Sequence, residues 1–479
     1  MNHTTAMQST SSAPARFPLS AMILYGIGEI SITISMVLFG LFILFFYNSV
    51  MGLPGVLVGI GSAVGLLWDA VIDPYIGHRS DQSQSRLGRR HSYMLFGACT
   101  MGLSFWLLLS PPRDLGVAYL FLWLLVTTLL FRTSSAIYRI PYLSLGAEFS
   151  SDYHERTVIV GVRSFFGLIG TLLAASLSFV LFFPDSTPGV DPKMNYAGYP
   201  QMGLSFGIVM SVAAFVTIVG TMKYRGAPQS SMSKATSGNH FFRGFVVALN
   251  NRSFRFAWTS YSLFLLAVVL TSVTSVHYYN WYAKLSDSST ISRIQACFYL
   301  GALAGVFIWV WLSKRYDKHN LYLISILFTA TLLFCAYFLV GEGSLFGVGN
   351  AKPLYVGNAL GGIFASAVWV LPSSMLADIS DEDALSTGLR REGIFFGIFN
   401  LGEKIAAGVS VLVGGLLIQH FVGLIPGTFE QSVLTQQRLG IVYGVVPAIL
   451  LIAAAISVRG YRLDRKSLEK IQATLNQGP

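Results

Sequence analysis

Apolar runs of about 20 residues or more, each long enough to cross the hydrocarbon core of a bilayer, recur along the whole chain between short polar turns. Read in order, they predict about twelve membrane-spanning helices. The first six cover 19–47, 54–77, 93–110, 115–147, 157–183 and 202–222. The second six cover 254–283, 292–313, 320–341, 353–378, 393–424 and 438–458. Between the sets, residues 223–252 are rich in Ser, Gly, Lys and Arg and poor in apolar residues until Phe241, which reads as a linker.

The expected organisation is therefore an N-terminal six-helix half (1–222), a cytoplasmic linker (223–252), a C-terminal six-helix half (253–459) and a charged cytoplasmic tail (460–479). The fold class is all-α integral membrane, and six plus six is the arithmetic of the major facilitator fold, two parallel six-helix halves. A weak internal echo agrees with it. Gly77-His78-Arg79-Ser80-Asp81 closes span 2, and Leu312-Ser313-Lys314-Arg315-Tyr316-Asp317-Lys318 closes span 8.

Composition supports the membrane reading: 53% of residues are hydrophobic and 11% charged, where a soluble chain carries about 25% charged residues. A net charge of +10 would otherwise suggest nucleic acid. The positions of the charges exclude that partner, because most Lys and Arg fall in alternate loops and both tails. This positive-inside bias predicts that both termini are cytoplasmic. The polar stretch 1–20 lacks the pattern of a cleavable signal. Cys99, Cys297 and Cys335 lie within spans with no paired or metal-binding spacing.

The candidate chemistry lies in charges inside the spans: Glu29, Asp69, Asp73 and Glu403 against Arg132, Arg139, Arg163 and Lys404. Charged groups at that depth are expensive, so they are expected to pair or to line a water-filled cavity. Asp69 and Asp73 are the strongest signal. At i and i+4 their Cβ atoms sit roughly 6 Å apart on one helix face, and two carboxylates that close bind a cation or share a proton. Lys404, near mid-depth of span 11, is expected to neutralise or gate that cation site. Arg132 and Glu403 stay open between functional and structural roles.

Glu155 and Arg156 end the loop between spans 4 and 5, while Asp378, Asp381, Arg390 and Arg391 flank the loop between spans 10 and 11. Opposite charges at helix ends from different halves are expected to form a cytoplasmic gate. The aromatic cluster Tyr278, Tyr279, Trp281 and Tyr282 reads as an interfacial belt or as a ring-stacking surface for a sugar, and Trp369 has similar standing. Glycines such as Gly161, Gly167, Gly170, Gly361 and Gly362 are expected to permit close helix packing.

The run Trp68-Asp69-Ala70 through Asp73-Pro74, then Gly77, Asp81, Ser85-Arg86 and Gly88-Arg89-Arg90, resembles the signature of the glycoside–pentoside–hexuronide:cation symporters, the melibiose-permease branch of the major facilitators. Ile140-Pro141-Tyr142, Glu155-Arg156-Thr157 with Arg163, and Ala377-Asp378 through Arg390-Arg391-Glu392-Gly393 to Lys404 resemble it in the same order. Tyr25-Gly26 through Gly28-Glu29 resembles its first span. The resemblance implies that Asp69 and Asp73 bind the coupling cation beside Lys404, and that Arg163 contacts substrate. It also implies a functional monomer and a gate that includes Arg156, Asp378, Asp381 and Arg390.

The departures bear on the ion and the solute. Ile72 and Ala136 stand where the melibiose permease has oxygen-bearing side chains, which weakens a site for sodium, a hard cation that wants several oxygens. Proton coupling is therefore favoured over sodium. Thr33 and Arg139 replace that permease's galactoside-binding aspartates, so Arg139 and Arg163 present two guanidinium groups suited to a carboxylate or phosphate. The expectation is a non-enzymatic symporter in the cell (inner) membrane with no cofactor beyond H+ or Na+. Its solute is sugar-like, a glycoside or hexuronide, with Glu29, Arg139, Arg163 and Trp369 facing it. The alternatives are a carrier of an amphiphile such as a lysolipid, which the family also resembles, and a non-transporting sensor on the same scaffold.

Overall fold

The computed structural model describes residues 18–149, 153–184, 191–224, 248–285, 287–387, 391–426, 428 and 430–477. Twelve membrane-length helices form two sets of six. The first set is α1 (Leu19–Val50), α2 (Gly55–Asp81), α3 (His91–Leu108), α4 (Val117–Glu148), α5 (153–182) and α6 (Gly198–Thr221). The second is α7 (Arg252–Tyr282), α8 (Ser288–Ser313), α9 (Lys318–Leu339), α10 (Lys352–Thr387), α11 (392–422) and α12 (Val433–Val458). Among the described residues, eleven helices are long and apolar enough to cross a membrane. The twelfth, α3, has the length, but Ser92, Thr100, Ser104 and its glycines dilute its apolar character.

Leu19 and Val458 begin and end the bundle on the same face, called proximal here; α1 finishes and α2 begins on the distal face. Packing between the halves is concentrated distally: α1 against α7, α2 against α11, and the distal part of α5 against α8. Glycine permits the α2–α11 crossing, because a Cβ on Gly55 would stand 2.9 Å from the Gly415 carbonyl oxygen, and one on Gly59 2.9 Å from the Leu412 Cα. The cores follow the same division. One continuous core joins the N-terminal half to the distal ends of α7, α8, α11 and α12 through Val273, Tyr278, Val411 and Tyr443. The proximal part of the C-terminal half has its own core around Phe254, Leu321, Met375 and Phe395. The halves are thus joined distally and separate proximally.

Five helices widen into a π turn near the distal face: Phe46–Val50 in α1, Leu173–Leu177 in α5, Tyr278–Tyr282 in α7, Leu417–Val422 in α11 and Ile441–Val445 in α12. The turns in α1 and α7 repeat one pattern. The carbonyls of Phe46 and Tyr47 accept the N–H groups of Met51 (2.9 Å) and Leu53 (2.8 Å), as those of Tyr278 and Tyr279 accept Ala283 (2.9 Å) and Leu285 (2.8 Å). The aromatic cluster is consequently no interfacial belt and no open stacking surface. Tyr278, Tyr279, Trp281 and Tyr282 are all buried in the distal core, where Tyr278 stacks on Tyr443 at 3.8 Å and the Ser49 hydroxyl meets His277 Nε2 at 3.3 Å across the halves.

Two other expectations need correction. α10 continues two to three turns past residue 378, to Thr387, with a break at Ser366, so Asp378 and Asp381 are helical rather than in a loop. The tail contains an amphipathic helix, α13 (Arg465–Gln477), which packs on α10 through Ile471. Asp464 caps it: hydrogen bonds from the Ser467 side chain and backbone, the latter at 2.9 Å, hold that carboxyl below the usual aspartate range. Glycine packing holds for Gly167 and Gly170 against Glu29, Thr33 and Ile30, and for Gly362 against Phe298 and Ala302. Gly161 has open space where a side chain would go, and a Cβ on Gly361 would just touch the Phe298 ring at 4.0 Å.

Candidate functional site

The intramembrane charges meet at the boundary between the halves. Asp69 and Asp73 lie one turn apart on α2 and are both buried, as a helix with i, i+4 spacing dictates. On α4, Arg132 and Arg139 are two turns apart on one face, and each reaches one carboxylate. Arg132 Nη1 donates to Asp69 Oδ2 at 2.7 Å, and Arg139 Nη2 donates to Asp73 Oδ2 at 2.8 Å. Lys404 Nζ on α11 also pairs with Asp73 Oδ2. This ion pair joins the two halves. Asp73 Oδ1, also buried, accepts no hydrogen bond from the described residues.

Around this centre the partners are fixed by stacking and by second hydrogen bonds. The Arg132 guanidinium lies 5.0 Å over the Phe39 ring. Trp68 Nε1 donates to the Thr133 hydroxyl at 2.8 Å, and that hydroxyl donates to the Leu129 carbonyl at 2.8 Å. Ile72 and Ile76 of α2 pack with Ala136 of α4 in a small apolar cluster. Glu403 lies beside the Tyr261 hydroxyl, within electrostatic range of Arg139 and Lys404.

Glu29 and Arg163 form a second pair, Nε to Oε2 at 3.5 Å, too long for a full hydrogen bond. Tyr25 and Tyr142 wall it, stacked at 4.6 Å and each donating its hydroxyl to the other's carbonyl, at 3.3 and 3.2 Å. Trp369 is 45% exposed on α10, one turn past the break, and makes no described contact with either pair. Arg139 pairs with Asp73, which brings it to the α2 carboxylates.

The gate residues fall into two groups. Asp378 pairs with Lys318 at the start of α9, at 2.6 Å, and Arg391 pairs with Asp383 at 2.7 Å, both within the C-terminal half. Glu155 lies in the first turn of α5 and Asp381 near the end of α10. Arg390 and the Arg156 side chain lie outside the described residues. Sequence reasoning missed Lys318 and Asp383 as partners, and also a proximal clamp in the N-terminal half. Arg90 there reaches Asp81 at 2.5 Å, Glu148 at 2.9 Å and the Ser80 hydroxyl at 3.2 Å. The signal was the echo of basic turns after α2 and α8: each turn ties the start of the next helix (α3, α9) to the proximal part of a long neighbour (α4, α10). Arg90 is largely buried, but Asp81 is about half exposed and Glu148 keeps Arg89 at 2.6 Å, so Arg90→Ala should cost about 1–2 kcal/mol through the lost hydrogen bonds. A lowered melting temperature of the solubilised protein, with new tryptic cleavage near Arg86, would be the readout; an unchanged melt would contradict the clamp.

Two sixes of membrane-length helices, with charges gathered where the sets meet, have the form of a membrane transporter, and the family match makes the chain one rather than an enzyme. The family model described as MFS/sugar transport protein matches residues 24–465, and the chain belongs to that family. It is 24% identical over 494 residues to the isoprimeverose transporter of Lactiplantibacillus pentosus, covering 100% of this chain and 96% of that one. It is 21% identical to the sodium-dependent lysophosphatidylcholine symporter 1 of Xenopus tropicalis, over 97% of this chain and 91% of that one. Among solved structures, the nucleoside transporter NupG superposes with a TM-score of 0.61 at 12% identity, covering 93% of this chain and all of that one. Family membership makes a small-molecule solute and a coupling cation the partners of this multi-pass protein.

Proposed function

We propose that the chain is a monomeric secondary symporter of the cell membrane, termini cytoplasmic, that couples proton entry to uptake of a sugar-like solute by alternating access. One observation carries the reading: a buried carboxylate, Asp73, bridges the halves through Lys404 yet keeps one oxygen, Oδ1, without a hydrogen bond. A proton on Asp73 would weaken its attraction to Lys404 and free α11 to move relative to α2. The joined distal ends and separate proximal cores fit one end state of such a rocking cycle.

Charge favours an acidic solute such as a hexuronide. Asp69, Asp73 and Glu403 balance Arg132, Arg139 and Lys404, so a bound proton leaves the centre at plus one and a monoanion restores neutrality. Released from Asp73 by that proton, Arg139 can turn its planar fork to a carboxylate, while Arg163 and Trp369 supply further contacts. The gate, on this reading, closes proximally when Glu155 and Arg156 meet the α10–α11 turn with Asp378, Asp381, Arg390 and Arg391.

The test is uptake into proteoliposomes under an imposed pH or sodium gradient, with glycosides, uronides and lysolipids. Proton-driven uptake of a uronide, reduced about tenfold or more in Arg139→Ala through loss of a charge-assisted pair, is expected. Undiminished uronide uptake in that variant would refute the solute assignment. One observation favours a second reading. A mostly apolar cavity of about 150 Å³ lies within the C-terminal half, lined by Val268, Phe298, Leu333 and Leu354 among others, and would suit part of an amphiphile. Lysolipid uptake in the same panel would establish that reading.

A further inference from the structure

We infer that Gln419 is a positioning residue of the rocking cycle proposed above: from α11 its side chain caps the start of α2 in the opposite half, and so favours the state closed on the distal face. This rests on reading the joined distal ends as one end state of that cycle.

A helix begins with backbone N–H groups that have no acceptor within it, and a Ser, Thr, Asp or Asn just before it commonly supplies one. α7, α8 and α12 follow that rule. Asn251, Asp287 and Ser432 accept from the N–H groups of Phe254 (2.8 Å), Ser289 (3.0 Å) and Thr435 (3.2 Å). α2 starts after Pro54, whose side chain has no acceptor to offer. The N–H groups of Leu57 and Val58 turn to the Pro54 carbonyl, at 2.9 and 3.3 Å. The Val56 N–H instead donates to Oε1 of Gln419 at 2.9 Å, across the boundary between the halves. The acceptor that the sequence before α2 lacks comes from the other half.

Two features bring Gln419 to that donor. It lies one turn beyond Gly415, where the backbones of α2 and α11 meet at Gly55. It also lies inside the widened turn Leu417–Val422, whose surplus residue re-aims the side chains that follow. The bond exists only while the halves are joined distally. When they part there, the Val56 N–H and the Gln419 amide both turn to water, so the cap tilts the equilibrium without locking it.

The experiment is the rate at which an impermeant thiol reagent labels Ser49→Cys in the full chain, in a cysteine-free background and in detergent, without solute or gradient. Ser49 is buried in the closed state, so the rate reads the population open on the distal face. Gln419→Ala should raise it about fivefold, the worth of a side-chain cap. Val56→Pro removes the donor at a first-turn position that tolerates proline. It should raise the rate equally, and the two together should add nothing to either alone. Gln419→Glu at about pH 8, where the carboxylate is ionised, should lower the rate below that of the unsubstituted residue, because a helix start favours an anion. A residue that only fills space would not give alanine and glutamate opposite signs. If Val56→Pro is not monodisperse, those two signs decide. An unchanged rate in Gln419→Ala while Gly415→Val is labelled overturns the inference, as does a rise in Gln419→Glu. Protection in every variant, Gly415→Val included, overturns distal opening itself. A uronide panel that fails leaves the labelling result intact.

Discussion

Replacing Asp73 with asparagine should abolish gradient-driven accumulation in proteoliposomes, a fall of about 100-fold or more to the level of empty vesicles. Asp73 is the shared acceptor of Arg139 and Lys404, so its loss strands two half-buried cations at once. Stranding one charge of a buried pair costs about 3–5 kcal/mol, and each 1.4 kcal/mol is about tenfold in a rate or equilibrium. Lys404→Ala should be milder, because Asp73 keeps Arg139 at 2.8 Å. It should lose coupling before it loses movement: counterflow of solute persists while uphill accumulation fails. Equal damage from the two substitutions, with counterflow lost in both, would mean that the cross-half pair is no switch and that Asp73 matters only as a structural acceptor.

Gly415→Val is expected to produce the second large effect, by a steric route. Gly55 and Gly415 meet backbone to backbone where α2 crosses α11, and no side chain fits there unless the helices separate. Overpacking of this kind costs typically about 1–3 kcal/mol. The distal closure bears that cost, so the variant should populate states open on that face. A cysteine at Ser49, in a cysteine-free background, should then react with an impermeant thiol reagent in Gly415→Val and stay protected without it. Gly161→Ala is the control: open space surrounds that helical glycine, and the added methyl should be neutral or stabilising by up to about 1 kcal/mol. Protection of the Ser49 cysteine in both proteins would contradict a distal contact that controls access.

The twelve spans are legible in the sequence because a bilayer imposes a length and an apolar composition that few other structures share. The site is legible as a set of residues but not as a set of bonds. Two carboxylates at i, i+4 on α2 and two arginines at i, i+7 on α4 are each visible as facing one way. Which arginine takes which acid depends on helix crossing and stagger, so the bond from Arg139 to Asp73 could not be read from spacing. The far end of α10 escaped because Asp378, Asp381, Glu382 and Asp383 look like a solvated turn. It stays helical where Lys318 and Arg391 offset two of those acids. The aromatic cluster at the end of α7 was misplaced for a related reason: tyrosine and tryptophan near a span end suit a lipid interface, and it takes the packing of α1, α9 and α12 onto α7 to bury them.

The widened turn at the end of α1 has a counterpart at the end of α7, with Phe46-Tyr47-Asn48 answered by Tyr278-Tyr279-Asn280 and the same long-range backbone hydrogen bonds in both. A second pair links α5 and α11, which hold the same place in the order of each half. A π turn amounts to one surplus residue in a helix, an irregularity with no reason to arise twice at matching points. The two halves thus follow one six-helix plan down to where two of their helices carry a surplus residue, although the turn in α12 has no counterpart in α6. The charges do not follow that plan: the first half holds the paired acids, and the second contributes a lone lysine to them.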